Sequence, residues 1–237
     1  MRLIKTIYIL LCVSIIITFL HFEKHLSGVY IGVAAVFYLL NSAIHLLAHE
    51  CGHLIGGAIS GYKLLRLQLG PLNIIINSNN KPELLWRGSF SGQCVMIPKQ
   101  VDPVRYKAYN MGGILANALI VISSSVLLLP GSFWASLLFV ESATIGIQKI
   151  LVNAIPHKTN SIPNDGYIVK LLNKDDAVKK DYAMYLRLYG KLFLNEDVLI
   201  QDYIYEREIS KDADEMLYYN EIQDILHSMK AEKSLNI

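Results

Sequence analysis

The chain has 237 residues, of which 53% are hydrophobic, and 22 Lys and Arg against 20 Asp and Glu leave a net charge of +2. That length holds one large domain or two small ones, and the near-balanced charge points away from nucleic acid as a partner. Apolar residues crowd the first two thirds and charged residues the last, which predicts a membrane domain followed by a soluble tail.

The first expected span covers residues 4–22. Its start, Met1-Arg2-Leu3-Ile4-Lys5, mimics a secretory leader, but Ile15-Ile16-Ile17-Thr18-Phe19-Leu20-His21-Phe22 offers no small-x-small cleavage site. It reads as a retained transmembrane helix. His21 and His25 are four apart but bracket a helix end, so they read as interfacial or solvated. Cys12, Cys51 and Cys94 give neither a disulfide framework nor a C-x-x-C pattern.

The second span, residues 29–60, is longer than one crossing needs, so it must tilt, kink or extend beyond the bilayer. Its last third carries His49-Glu50-Cys51-Gly52-His53. On a helix His49 and His53 project from one face, where two neutral imidazoles can bind one zinc ion. Glu50 beside them can take a proton from an activated water. A chance match to H-E-x-x-H is the bland alternative. Two histidines and a glutamate in a membrane-length apolar segment are costly, however, and default to a functional site. His45 extends the ladder by a turn and reads as a packed polar group or one that steadies a ligand. Cys51 faces another side of the helix and reads as packing.

From residue 62 to residue 100 the pattern changes. Residues 64–69, 72–77, 84–90 and 93–97 read as short strands, separated by Gly70-Pro71, by Asn77-Ser78-Asn79-Asn80-Lys81-Pro82 and by Ser91-Gly92. They predict a small antiparallel sheet at the membrane surface. A third span, residues 106–129, opens on small residues around Asn117, which permit close helix approach. A fourth, residues 133–155, holds Glu141, Gln148 and Lys149 without an assignable role. Beyond Ile168 the chain reads as amphipathic helices.

The fold class expected is therefore membrane α-helical, with about four transmembrane helices, a small membrane-associated β-sheet and a C-terminal cytoplasmic helical tail. The organisation reads as 1–28 (N-terminal helix and link), 29–172 (core) and 173–237 (tail). Lys and Arg cluster before span one, between spans two and three, and after span four. The positive-inside rule then makes the protein a multi-pass protein of the cell membrane with both termini cytoplasmic.

A catalytic zinc takes three protein ligands and keeps one position open. The metzincin extension would need a histidine at position 59, where Ile59 stands. Asp165, next to Gly166 and following span four, is the most attractive third ligand, and His157 is its competitor.

The pattern resembles the site-2 protease family of intramembrane zinc metalloproteases. His49-Glu50-Cys51-Gly52-His53 matches that family's H-E-x-G-H. Gly113-Ile114-Leu115-Ala116-Asn117 is similar to its G-P-x-x-N element, with Ile114 in place of proline. Asn153-Ala154-Ile155-Pro156 followed by Asn164-Asp165-Gly166 is similar to its N-x-x-P and D-G elements, with a longer spacer. The resemblance covers about residues 29–172. It implies that His49, His53 and Asp165 hold zinc, that Glu50 is the catalytic base, and that Asn117 binds substrate backbone or the developing oxyanion. The function expected is hydrolysis of a peptide bond in a membrane protein or peptide substrate, within or against the lipid bilayer. The alternatives are a non-catalytic membrane protein of the same fold that binds a peptide or partner, and a zinc transporter or sensor.

Overall fold

A computed structural model describes residues 13–17, 19–21, 27–86, 91–100, 105–127, 132–159 and 162–235. The order of elements is α1 (Gly28–Ile59), β1 (Tyr62–Leu69), β2 (Leu72–Ile76), β3 (Pro82–Trp86), β4 (Gly92–Pro98), α2 (Lys107–Leu127), α3 (Phe133–Ala154), β5 (Lys158–Thr159), β6 (Ile162–Pro163), α4 (Asp165–Leu172), α5 (Asp176–Phe193), a 3₁₀ turn (Ile200–Tyr203) and α6 (Leu217–Leu235). Residues 13–17 and 19–21 are helical as well.

By their contacts the residues form two units. The first is Met1–His53 with Met111–Tyr167, and the second is Leu54–Asn110 with Ile168–Ile237. By this grouping the sheet goes with the tail helices, and the division falls within α1 and α2.

α1 contains no proline to interrupt its 32 residues, and it stops where Gly61 adopts φ +82, a left-handed conformation that glycine takes without strain. Along α1, Val29, Val36, Leu39, Leu40, Ile44 and Leu47 are exposed, and on α2 so are Leu115 and Leu119. The buried positions include a polar set, Asn41, His45, His49, Glu50 and His53 on α1, Asn117 on α2, Glu141 and Ser142 on α3, beside the apolar Ala34, Ile114, Leu137 and Ile145. Exposed apolar faces over buried polar groups suit a lipid surrounding. α1 and α3 are long and apolar enough to cross a membrane, and only 17% and 28% of their most apolar windows are buried by protein.

The four expected spans are met in part. α2 forms where the third was placed, and among the described residues α1 and α3 are the two helices long and apolar enough to cross a membrane. The first span lies largely outside the described residues. Its described part packs with Ile16 and Leu20 against Ala34 of α1 and Leu137 of α3, bordered by Phe19, Tyr30 and Phe133.

In the second unit β1 to β4 form an antiparallel sheet in the order β3-β2-β1-β4. Gly70, at φ +63, makes the tight turn that pairs Leu69 with Leu72. A bulge between Leu64 and Arg66 re-phases β1, so that Tyr62, Leu65 and Leu67 are all buried. The strand expected at 84–90 is β3 as far as Trp86; residues 87–90 lie outside the described set. The tail folds as a helical core: Met184 and Leu188 of α5 pack with Val198, Tyr203, Ile222 and Leu226. Its polar anchor is Asp181, which accepts hydrogen bonds from Tyr205 Oη at 2.6 Å and Arg207 Nε at 3.0 Å.

Candidate metal centre

Helical spacing sets the first half of the site. His49 and His53 stand one turn apart on α1, and their Nε2 atoms lie 3.1 Å from each other. Asp165, the first residue of α4, brings Oδ2 to 3.3 Å from His49 Nε2 and 3.4 Å from His53 Nε2. His49 and His53 are 9% and 7% exposed, so the three atoms converge in a nearly closed space. Among the described residues these are the side chains grouped as a metal could hold them.

The spacing itself tests the fit. Ligand atoms bonded to a tetrahedral ion at ~2.0–2.1 Å stand about 3.3 Å from one another. The edges of this triangle, 3.1, 3.3 and 3.4 Å, match that value. Asp165 Oδ2 is moreover buried without a hydrogen-bond donor in position to satisfy it, although both Nε2 atoms are within ion-pair distance. A buried carboxylate oxygen in that state is costly unless a cation completes it. Burial pushes the Asp165 carboxyl up, and in the metal-free chain protonated His49 and His53 beside it would hold it down to about 2. A metal takes over that role once the imidazoles give up those protons, and it binds the ionised carboxylate. Two imidazoles and one carboxylate suit zinc.

The close approach of α2 depends on glycine. A Cβ on Gly113 would lie 2.6 Å from His49 Cε1, His49 Nδ1 and His53 Nε2. Gly52 and Gly112 face each other so closely that a Cβ on either would run into the carbonyl of the other. The stretch of small residues expected to permit helix approach thus abuts the histidines directly.

Asn164 places Asp165. Its Oδ1 accepts from Tyr167 N at 2.9 Å, capping α4, and from His157 N at 3.1 Å. Its Nδ2 donates to the carbonyls of Val152 and Ile155 at 2.8 and 2.7 Å, which ties α4 to the end of α3. The longer spacer before Asp165 is absorbed by a two-stranded hairpin, in which β5 pairs Lys158 with Pro163 and Thr159 with Ile162 of β6. His157, the competing third ligand, has Nδ1 3.0 Å from the Ile155 carbonyl oxygen and 3.0 Å from Asn164 Nδ2. It is thus engaged in the loop and is not part of the group of three.

Glu50 is 6% exposed and within electrostatic reach of His49, His53 and Asp165. Asn117 is wholly buried, with its amide between two histidines: Oδ1 is 3.0 Å from His45 Nδ1, and Nδ2 is 3.3 Å from His49 Nδ1. His45 reaches Ser142 on α3 as well. Asn41 donates to Glu141 Oε2 at 3.4 Å. Cys51 and Cys94 are free thiols. His21 is exposed, and Cys12 and His25 lie outside the described residues. No protein-family model, no curated protein and no solved structure matches the chain.

Proposed function

We propose that the chain is an intramembrane zinc metalloprotease that hydrolyses a peptide bond in a membrane-embedded or membrane-associated substrate, either a peptide precursor or a membrane-tethered regulator. The observation that carries this reading is the convergence of His49, His53 and Asp165 at the edge lengths of a tetrahedral ion, with Glu50 buried beside them.

His49, His53 and Asp165 would hold the zinc. When bound, zinc supplies Lewis acidity, which polarises the scissile carbonyl. Glu50 takes a proton from the attacking water and passes it to the leaving nitrogen, a kind of transfer that contributes roughly 10²–10⁴-fold. The closed surroundings strengthen each of these electrostatic contacts by excluding bulk water. The substrate is presented extended, because a helix hides its own peptide bonds. The protein is placed as a multi-pass protein of the cell membrane with cytoplasmic termini, on the distribution of Lys and Arg.

A non-catalytic binding protein of the same fold would have no use for a buried carboxylate beside the ligands. Zinc content and cleavage, measured together, separate the two readings. The Glu50→Gln variant should retain zinc and lose cleavage of quenched-fluorophore transmembrane peptides by at least about 10²-fold. Cleavage by Glu50→Gln at the wild-type rate would overturn the mechanism. Zinc binding without cleavage in the wild type, across a broad peptide panel, would favour the binding protein.

A further inference from the structure

His45 and Asn117 are both fully buried and lie away from the three converging atoms, yet they form a chain that ends on His49. The other end of the chain is fixed. His45 Nε2 lies 3.0 Å from the backbone carbonyl oxygen of Ser142 and 3.3 Å from its hydroxyl. A carbonyl oxygen can only accept, so the shorter contact favours a proton on His45 Nε2 over a lone pair that accepts from the Ser142 hydroxyl.

A neutral imidazole carries one proton, which leaves His45 Nδ1 as an acceptor. A second proton would put a charge on a wholly buried ring. Asn117 must then turn its NH₂ towards His45, an amide orientation with the same shape as its reverse. Its carbonyl oxygen then faces His49 Nδ1. That nitrogen must donate, so it holds the proton of His49. His49 Nε2 is left with a bare lone pair, aimed at His53 Nε2 and Asp165 Oδ2. The opposite amide orientation would put the His49 proton on Nε2, where it would block a metal.

We infer that His45 is a positioning residue: through Asn117 it imposes on His49 the tautomer that leaves Nε2 free to bind metal, with the Ser142 carbonyl as the anchor. The inference rests on the reading of His49, His53 and Asp165 as metal ligands. It gives Asn117 a task on the protein side, with each end of its amide held by a histidine. Gly146 makes room for this arrangement, since a Cβ there would lie 2.6 Å from His45 Cε1.

Two measurements test it on the full chain in detergent. The first is the ¹⁵N ring shifts of the zinc-loaded protein labelled at histidine, with His45 assigned by its replacement. The expected result is a neutral His45 protonated on Nε2; a neutral His45 protonated on Nδ1, or a charged one, overturns the inference. The second is zinc affinity by competition with a chelator. His45→Leu and Asn117→Leu should each bind zinc about 10–100-fold more weakly, as loss of the partner that orients a metal-binding histidine does. His45→Gln can donate to Ser142 and accept from Asn117, so it should recover most of the affinity. Wild-type affinity in His45→Leu would overturn the inference while leaving the metal site intact, and a wild type that takes up no zinc would overturn both. If the leucine variants do not fold, the ring shifts of the wild-type protein still decide.

Discussion

At Gly113 a hydrogen stands where a methyl group would lie 2.6 Å from ring atoms of both His49 and His53. Gly113→Ala should therefore displace at least one imidazole and lower zinc affinity more than tenfold, with helix content by circular dichroism unchanged. Wild-type zinc affinity in that variant would show that the rings have room to move. The two histidines and Glu50 were legible in the sequence because their relation is local: four residues on a helix make one turn. Asp165 is more than a hundred residues from His53, so its place came from the resemblance and from the rule of three ligands. The His45–Asn117–Ser142 chain was not legible. It depends on which faces of α1, α2 and α3 meet, and helical periodicity within one segment does not carry that information.

Elements hold the third ligand in place. Asn164 caps α4 and donates to two carbonyls at the end of α3. Asn164→Ala should cost about 0.5–2 kcal/mol from the lost cap alone and loosen Asp165, so zinc affinity should fall while the long helices persist. Unchanged zinc affinity would mean that Gly166, whose Cβ would strike the Ala154 carbonyl, suffices to seat the turn. The long helices and the sheet were readable from apolar runs, alternation and the Gly70-Pro71 turn. The β5–β6 hairpin was not, since two-residue strands have no period to detect. It is nonetheless what lets the longer spacer return the chain to Asp165: Asn164 N donates to the His157 carbonyl at 3.1 Å, closing the loop.

Over the whole molecule, two units share one chain. The first exposes many apolar side chains and buries a polar cluster beside an apolar core of Ile16, Leu20, Ala34 and Leu137. The second buries aliphatic and aromatic side chains around a wholly buried Asp181, whose partner Arg207 is 6% exposed at its side chain. Asp181→Ala leaves that guanidinium without its carboxylate and should destabilise the second unit by about 3–5 kcal/mol, measured by denaturant unfolding. A change below 1 kcal/mol would show that Arg207 finds water instead. Topology is tested by reporters fused after Asn80, at Gly131 and after Ile237. The first and last should report cytoplasm and the middle one the opposite side, whereas agreement between Gly131 and Ile237 would remove α3 as a crossing.

The central claim is that His49, His53 and Asp165 together hold one metal ion. It is tested most directly by the zinc content of chelator-stripped, reloaded and desalted protein, in the wild type beside Asp165→Ala and His157→Ala. The account predicts about one zinc per chain in the wild type and in His157→Ala, and a substoichiometric amount in Asp165→Ala. A wild type that retains no zinc would contradict it, as would full retention in Asp165→Ala with loss in His157→Ala.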